Sequence, residues 1–99
     1  MSVTAGSSTP GTAPVRSTVT VRYFAGARAA AGVSTENVAL ADGYTVSDLL
    51  GSLAARHGER MTRVLGASSL LLDEVAVRDR SLPLRSGAVL DVLPPFAGG

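Results

Sequence analysis

One amphipathic helix constrains the fold of this chain more than any other feature. Thr45 and Asp48 form a capping-box pattern, in which the threonine hydroxyl and the aspartate carboxylate each accept a backbone N–H. Large apolar residues follow at helical spacing, and Gly58 ends the run: Val46, Leu49, Leu50, Leu53 and Ala54. At about 1.5 to 3 kcal/mol for each large buried side chain, we expect this helix to contribute most to the core. A chain of 99 residues has room for one small domain around it.

Before this helix, the sequence predicts two strands and a short helix. Residues 18–24 alternate apolar and polar side chains with period two, which is typical of a strand with one buried face. An alanine-rich helix over residues 25–31 follows, and Gly32 stands at its C-terminal cap. Residues 34–40 form a second strand, which we expect to be antiparallel to the first.

After the helix, the sequence predicts a short further helical turn and three strands. Met61, Val64 and Leu65 repeat the helical spacing only briefly. Residues 69–72 and 75–77 are predicted to form a hairpin with its turn at Asp73 and Glu74. Residues 82–84 are predicted to form a loop that braces the domain. A turn at Ser86 and Gly87 leads to the last strand, over residues 88–93.

The last strand alternates its side chains between two faces. Leu90 and Val92 point to one face, whereas Val89, Asp91 and Leu93 point to the other. Two apolar residues therefore share the face that carries the aspartate. An exposed apolar rim of this kind predicts a docking surface for another protein.

The order of these elements predicts an α+β β-grasp fold. A mixed sheet of about five strands would pack on the one main helix, with the first and last strands parallel at its centre, because the helix supplies the crossover. We expect residues 1–17 to be a disordered extension, since Ser, Thr, Gly, Ala and Pro dominate it, and residues 18–99 to form the domain.

The ending, residues 93–99, is the predicted reactive part. Pro94 and Pro95 cannot donate ladder hydrogen bonds, so they end the strand and begin a stiff, extended spacer. Gly98 and Gly99 have no side chains and fit a channel too narrow for other residues. The only chemistry that this ending offers is the terminal carboxylate of Gly99.

Composition excludes several classes of function. Nine basic and eight acidic residues give a net charge of +1, without the basic stripe that nucleic-acid binding requires. No apolar run approaches a membrane span, and no signal-peptide pattern is seen, so we expect a cytoplasmic protein. Without cysteine and with a single histidine, the chain has neither a thiolate nucleophile nor the ligands of a zinc site, and we expect no bound metal or cofactor.

Other polar residues have ordinary structural interpretations. We expect His57 to cap or pack the end of its helix, because nothing in its spacing supplies a nucleophile or an orienting carboxylate. Asp73 and Glu74 are predicted to point to solvent from a turn. The arginines, Arg22 among them, are predicted to form a solvated surface. Gly26 and Gly32 do not form a phosphate-binding loop, so we expect no nucleotide to bind this chain alone.

Four stretches resemble the MoaD/ThiS family of sulfur carriers, on its molybdopterin branch. They are residues 21–25, the alanine-rich turn that ends at 31–32, residues 45–58 and the ending at 93–99, and the resemblance covers residues 18–99. It implies that an E1-like adenylyltransferase uses ATP to adenylate Gly99, and that sulfur then displaces AMP to leave a thiocarboxylate. The chain itself would be a co-substrate and not a catalyst.

The same resemblance implies a partner and a sulfur acceptor. The tail would enter the large subunit of molybdopterin synthase and deliver sulfur to cyclic pyranopterin monophosphate, with Gly98 and Gly99 in the entry channel. Leu93, Pro95, Phe96 and Ala97 would contact the partner. Two alternatives remain open: a sulfur carrier for cysteine or thiamine synthesis, and a ubiquitin-like modifier whose Gly99 becomes attached to lysines of other proteins.

Overall fold

The computed structural model describes residues 16–95 and contains five strands and three helices. In chain order they are β1 (Arg16–Tyr23), α1 (Ala25–Ala31), β2 (Thr35–Ala41), α2 (Val46–His57), α3 (Glu59–Ala67), β3 (Ser69–Leu72), β4 (Val75–Ala76) and β5 (Val89–Leu93). Strand β1 begins two residues earlier than the sequence predicted, and β4 is one residue shorter.

The strands form one mixed sheet in the order β2-β1-β5-β3-β4. Strand β1 is antiparallel to β2 and parallel to β5, and β5 is antiparallel to β3. The first and last strands therefore lie side by side and parallel at the centre, as predicted. This architecture is the α+β β-grasp fold.

Helix α2 forms as its sequence pattern predicts. The Asp48 N–H donates to Thr45 Oγ1 at 3.1 Å, and the Thr45 N–H donates to Asp48 Oδ2 at 2.9 Å, so both halves of the capping box are present. The four large residues of its apolar stripe are buried: Val46, Leu49, Leu50 and Leu53. They pack against the inward side chains of the sheet, which include Val19, Val21, Leu90 and Val92.

Helix α3 is longer than the short turn that the sequence predicted, and that prediction was wrong in extent. It runs for nine residues and buries Met61 and Leu65 in the core. Gly58, at a φ of 91°, ends α2 and lets the chain turn directly into α3. The repeat of helical spacing was too short to show that tertiary packing would extend the helix.

The loop over residues 82–84 braces the start of α2, as expected. Val46 N–H donates to the Leu82 carbonyl at 3.0 Å, and Leu84 N–H donates to the Tyr44 carbonyl at 2.8 Å. Leu84 is buried. Within residues 16–95, no helix is long and apolar enough to cross a membrane.

Candidate functional site

The strand that precedes the predicted reactive ending lies at the centre of the sheet. Strand β5 pairs with β1 through residues 89–92 and with β3 through residues 90–93. Near its carboxyl end, the Val92 carbonyl accepts a 3.3 Å hydrogen bond from the Phe24 N–H, directly after β1. Neighbours on both sides therefore hold the strand from which the tail departs.

The chain leaves the sheet directly after Leu93. Leu93 and Pro94 are half-buried, and Pro95 is exposed and outside any strand. Because neither proline has an N–H, the ladder cannot continue through them. The other predicted site residues lie outside the described residues: Phe96, Ala97, Gly98 and Gly99.

The outer face of β5, which points away from the helices, differs from the predicted apolar rim. Val89 and Leu93 are half-buried there, but Asp91 between them is buried and not exposed to solvent. The side chain of Asp91 is 8% exposed, whereas that of Arg22 on the neighbouring strand is 44% exposed. Arg22 lies over the carboxylate and covers it.

Arg22 and Asp91 form a two-pronged ion pair across the parallel strands. Arg22 Nε donates to Asp91 Oδ1 at 2.6 Å, and Nη2 donates to Oδ2 at 2.9 Å. The hydrogen bond and the charge of Asp91 both raise the pKa of Arg22. Arg22 is exposed, as the predicted solvated arginine surface requires, but the prediction missed its partner, since the register of β1 and β5 places Arg22 and Asp91 opposite each other.

The start of β5 is held by a residue that the sequence assigned to a solvated turn. Asp73 Oδ1 accepts the N–H of Val89 at 2.9 Å, and the Asp73 N–H donates to the Val89 carbonyl at 2.8 Å. Asp73 and Glu74 form the predicted turn, both with positive φ, but the carboxylate of Asp73 faces the strand. A recess of about 240 Å³ lies beside it, lined by Arg22, Asp73, Glu74 and Val89.

A second carboxylate cluster lies on the helix side of the sheet, at the end where the tail departs. Glu36 on β2 accepts hydrogen bonds from Tyr23 on β1 and from two residues of α2, Arg56 at 2.7 Å and His57 at 2.5 Å. The rings of Tyr23 and His57 meet edge to face, with centroids 5.9 Å apart. His57 therefore has the packing role that the sequence predicted, with a partner that the sequence did not identify.

The Glu36 cluster, which consists of Glu36, Tyr23, Arg56 and His57, perturbs the pKa values of its members. Burial alone would raise the pKa of Glu36, but hydrogen bonds from its three neighbours outweigh this effect and lower it. Burial and then the contact with Glu36 raise the pKa of Tyr23 well above its usual range. Tyr23 is therefore a neutral hydrogen-bond donor at physiological pH.

Sequence periodicity contained a signal for this cluster. Glu36 has the same parity along β2 as Val38 and Leu40, which are buried in the core. A glutamate at a core-facing strand position requires a partner, because burying an unpaired charge is expensive. Its donors come from elements distant in sequence, so the pattern identifies the need but not the partners.

Nothing in residues 16–95 suggests a metal centre. The described part of the chain contains no group of three or more histidine, cysteine, aspartate or glutamate residues able to hold a metal ion.

The sequence profile of the ThiS family matches residues 21–99. The chain belongs to the ThiS family. The matched range includes β5 and the ending that follows it.

Two relatives of this ThiS-family chain come from molybdopterin synthesis by their names. The molybdopterin synthase sulfur carrier subunit of Chlamydomonas reinhardtii is 32% identical over 82 residues, which cover 82% of this chain and 98% of the relative. One chain in the complex of subunits 1 and 2 of the molybdopterin-converting factor from Helicobacter pylori is 26% identical, with a TM-score of 0.58. That match covers 83% of this chain and 99% of the solved one.

This ThiS-family chain is also similar to an archaeal modifier. The crystal structure of SAMP1 from Haloferax volcanii, a small archaeal modifier protein, matches with a TM-score of 0.73 and 26% identity. The match covers 83% of this chain and 99% of SAMP1.

Proposed function

We propose that this chain is the sulfur carrier subunit of a molybdopterin synthase. The observation that carries the proposal is the likeness to the C. reinhardtii sulfur carrier subunit along nearly the whole length of that relative. The geometry agrees with it, because the central strand β5 passes directly into the segment that ends in Gly98 and Gly99. The chain would supply a sulfur-bearing acyl group and leave catalysis to its partners.

The proposed chemistry takes place at the carboxylate of Gly99. A carboxylate is a poor electrophile because oxide is a very poor leaving group, so an E1-like adenylyltransferase would join it to AMP, using ATP and releasing pyrophosphate. A sulfur donor would then displace AMP and leave a thiocarboxylate. ATP would bind the activating enzyme and not this chain.

The thiocarboxylate would be used by a larger partner. We propose that the tail enters the large subunit of molybdopterin synthase and passes its sulfur to cyclic pyranopterin monophosphate. Gly98 and Gly99 would occupy the narrow part of the channel, because glycine lacks the Cβ that would clash with the channel wall. Leu93, Pro95, Phe96 and Ala97 would contact the partner near the channel mouth, and Phe96→Ala should weaken its binding with little effect on the stability of this chain.

The experiment that tests the proposal is sulfur loading followed by intact mass measurement. The chain is incubated with an E1-like adenylyltransferase, ATP and a sulfur donor, and replacement of one oxygen by sulfur is expected. Deletion of Gly99 should abolish loading, and Gly98→Ala should slow it by roughly tenfold or more. Normal loading of the Gly99 deletion would contradict the proposal.

Gly51→Ala is the matched control for Gly98→Ala. Gly51 is exposed on α2, and a Cβ at this position would meet nothing within 4 Å. The same change of glycine to alanine should therefore leave sulfur loading unchanged. It should also stabilise α2 slightly, because alanine is the better helix former.

A second candidate function is that of a ubiquitin-like modifier, which the similarity to SAMP1 favours. In that case Gly99 would become attached to lysines of other proteins. Denaturing gels of cells that express the tagged chain separate the two functions: covalent ladders that disappear on deletion of Gly99 indicate a modifier. A sulfur carrier for cysteine or thiamine synthesis would load equally well but would not support molybdopterin formation with the large subunit.

A further inference from the structure

We propose that Arg22 and Asp91 form a positioning pair, which fixes the point from which the carboxyl-terminal tail leaves the domain. This inference rests on the proposed sulfur-carrier function. It concerns the presentation of the tail to the enzymes that load and unload it, and not the chemistry at Gly99.

The pair lies where control of the tail is most needed. Asp91 is two residues before Leu93, the last residue of β5, and Arg22 is opposite it on β1. Two parallel hydrogen bonds, at 2.6 and 2.9 Å, fix the relative rotation as well as the separation of the two side chains. The pair therefore restrains both the distance and the rotation of the end of β5 relative to β1.

Backbone contacts on the β1 side weaken just beyond this pair. The hydrogen bond from Phe24 to Val92 is long, at 3.3 Å, and Pro94 and Pro95 have no N–H to donate. Within residues 16–95, the ion pair is thus the last side-chain hydrogen bond between β1 and β5 before the tail.

The start of the same strand is held by a separate side chain. Asp73 exchanges two hydrogen bonds with the backbone of Val89, at 2.8 and 2.9 Å. Strand β5 is thus held at its start from the β3–β4 turn, and its end is paired with β3 on one side and held from β1 on the other. Loss of the Arg22–Asp91 pair should loosen the β1 side of the end while the start stays in place.

A released strand end should affect how often the tail is correctly presented. If only a fraction of molecules has the tail origin in the competent position, the apparent affinity for the enzyme falls by that fraction. Once the tail is in the channel, the distances around Gly99 are set by the enzyme. The expected result is a higher KM with an unchanged kcat.

The test is the kinetics of sulfur loading with a set of pair variants in the full chain. Asp91→Asn and Arg22→Gln should each raise the KM for the carrier by roughly three- to tenfold and leave kcat within about twofold. The thermal unfolding midpoint and the hydrogen exchange of the Val92 and Leu93 amides are measured alongside. Faster exchange at these two amides, with slow exchange kept at Val21, would locate the effect at the strand end.

A charge-exchanged variant separates positioning from direct contact with the enzyme. Arg22→Asp combined with Asp91→Arg rebuilds the pair but reverses the two charges. Recovery of the wild-type KM supports positioning, because only the bond between the strands has been restored. A KM that stays as high as in the single variants overturns the proposal and indicates that the enzyme contacts one of the two side chains.

The remaining outcomes are also decisive. If wild type loads sulfur and the single variants have a wild-type KM, the positioning role is wrong while the proposed function stands. A fall in kcat with constant KM would likewise overturn the inference. If wild type itself takes up no sulfur, the proposed function fails, and this inference fails with it.

If a single variant does not fold, Arg22→Lys takes its place. Lysine keeps the positive charge but can form only one hydrogen bond to Asp91 at a time, so its KM should lie between those of the wild type and of a variant without the pair.

Discussion

Two carboxylates near the tail-departing end of the sheet are held in different ways. Glu36, on the helix side, accepts from Tyr23, Arg56 and His57, so one carboxylate joins β1, β2 and the end of α2. Asp91, on the outer face, has one partner, Arg22, on the adjacent strand. The first joins layers of the fold, whereas the second joins two strands.

This difference in connection implies a difference in role. Removal of Glu36 leaves the hydroxyl of the buried Tyr23 and the largely buried ring of His57 without their partner. Removal of Asp91 leaves Arg22, whose side chain is nearly half exposed and can be hydrated in place. The Glu36 cluster should therefore matter mainly for stability, and the Arg22–Asp91 pair mainly for presentation of the tail.

The largest expected effect comes from Glu36→Ala. It leaves several buried or partly buried donors unpaired, so the free energy of unfolding should fall by about 2 to 4 kcal/mol, measured by urea denaturation. Glu59→Ala is the matched control, because the Glu59 side chain is 93% exposed and its contact with Arg63 is 3.8 Å long. It should change stability by less than about 0.5 kcal/mol. Equal effects of the two variants would refute the assignment of Glu36 as a structural centre.

A pH series sharpens the same comparison. The pKa of Glu36 is lowered from its ordinary value of 4.5, so its ionised form stabilises the fold above that value, and this contribution is lost as pH falls through the lower folded-state pKa. The stability difference between wild type and Glu36→Gln should be constant from pH 7 to about 5 and shrink below about pH 4.5.

The attribution of this pH effect requires a check on the groups that face Glu36, which are Tyr23, Arg56 and His57. These groups are a phenol, a guanidinium and an imidazole, and histidine is the residue type among them that serves most often as a pH-sensitive group in proteins. The series is therefore repeated in a His57→Gln background. If the stability contributed by Glu36 is still lost below about pH 4.5 in this background, the pH effect belongs to Glu36. If the pH effect disappears, it belongs to the histidine.

Of the two carboxylates, Asp91 should give the smaller effect on stability when it is changed to asparagine. The asparagine keeps the shape of the side chain, and Arg22 can turn to water, so the loss should be less than about half of that for Glu36→Ala. The same denaturation experiment measures it. A larger loss than for Glu36→Ala would reverse the comparison and make the outer ion pair the main support of this end of the sheet.

Local patterns predicted the elements that depend on neighbours in sequence. The capping box of Thr45 and Asp48, the stripe of α2 and the glycine cap of α1 at Gly32 all involve residues within a few positions of each other, and all were confirmed. The extent of α3 was not predicted, because Met61 and Leu65 are held by packing against distant elements.

The candidate site divides in the same way. The proline stop after Leu93 could be predicted, since a missing N–H is a property of the residue itself. Asp73 lies in an exposed turn, as predicted, but its hydrogen bonds to Val89 were missed, because Val89 is sixteen positions away and is brought near by the pairing of β3 with β5. The assignments of Phe96, Ala97, Gly98 and Gly99 remain predictions, and the proposed loading experiments test those of Gly98 and Gly99.

By itself, the sequence determined that one capped helix and alternating strands build a β-grasp domain, because hydrophobic periodicity and capping are local. Only the tertiary structure decided which charged side chains meet. Arg22 and Asp91 are 69 positions apart, and Glu36 and His57 are 21 apart. Such pairs depend on strand register and helix placement, which come from packing of the whole core, so periodicity cannot specify them.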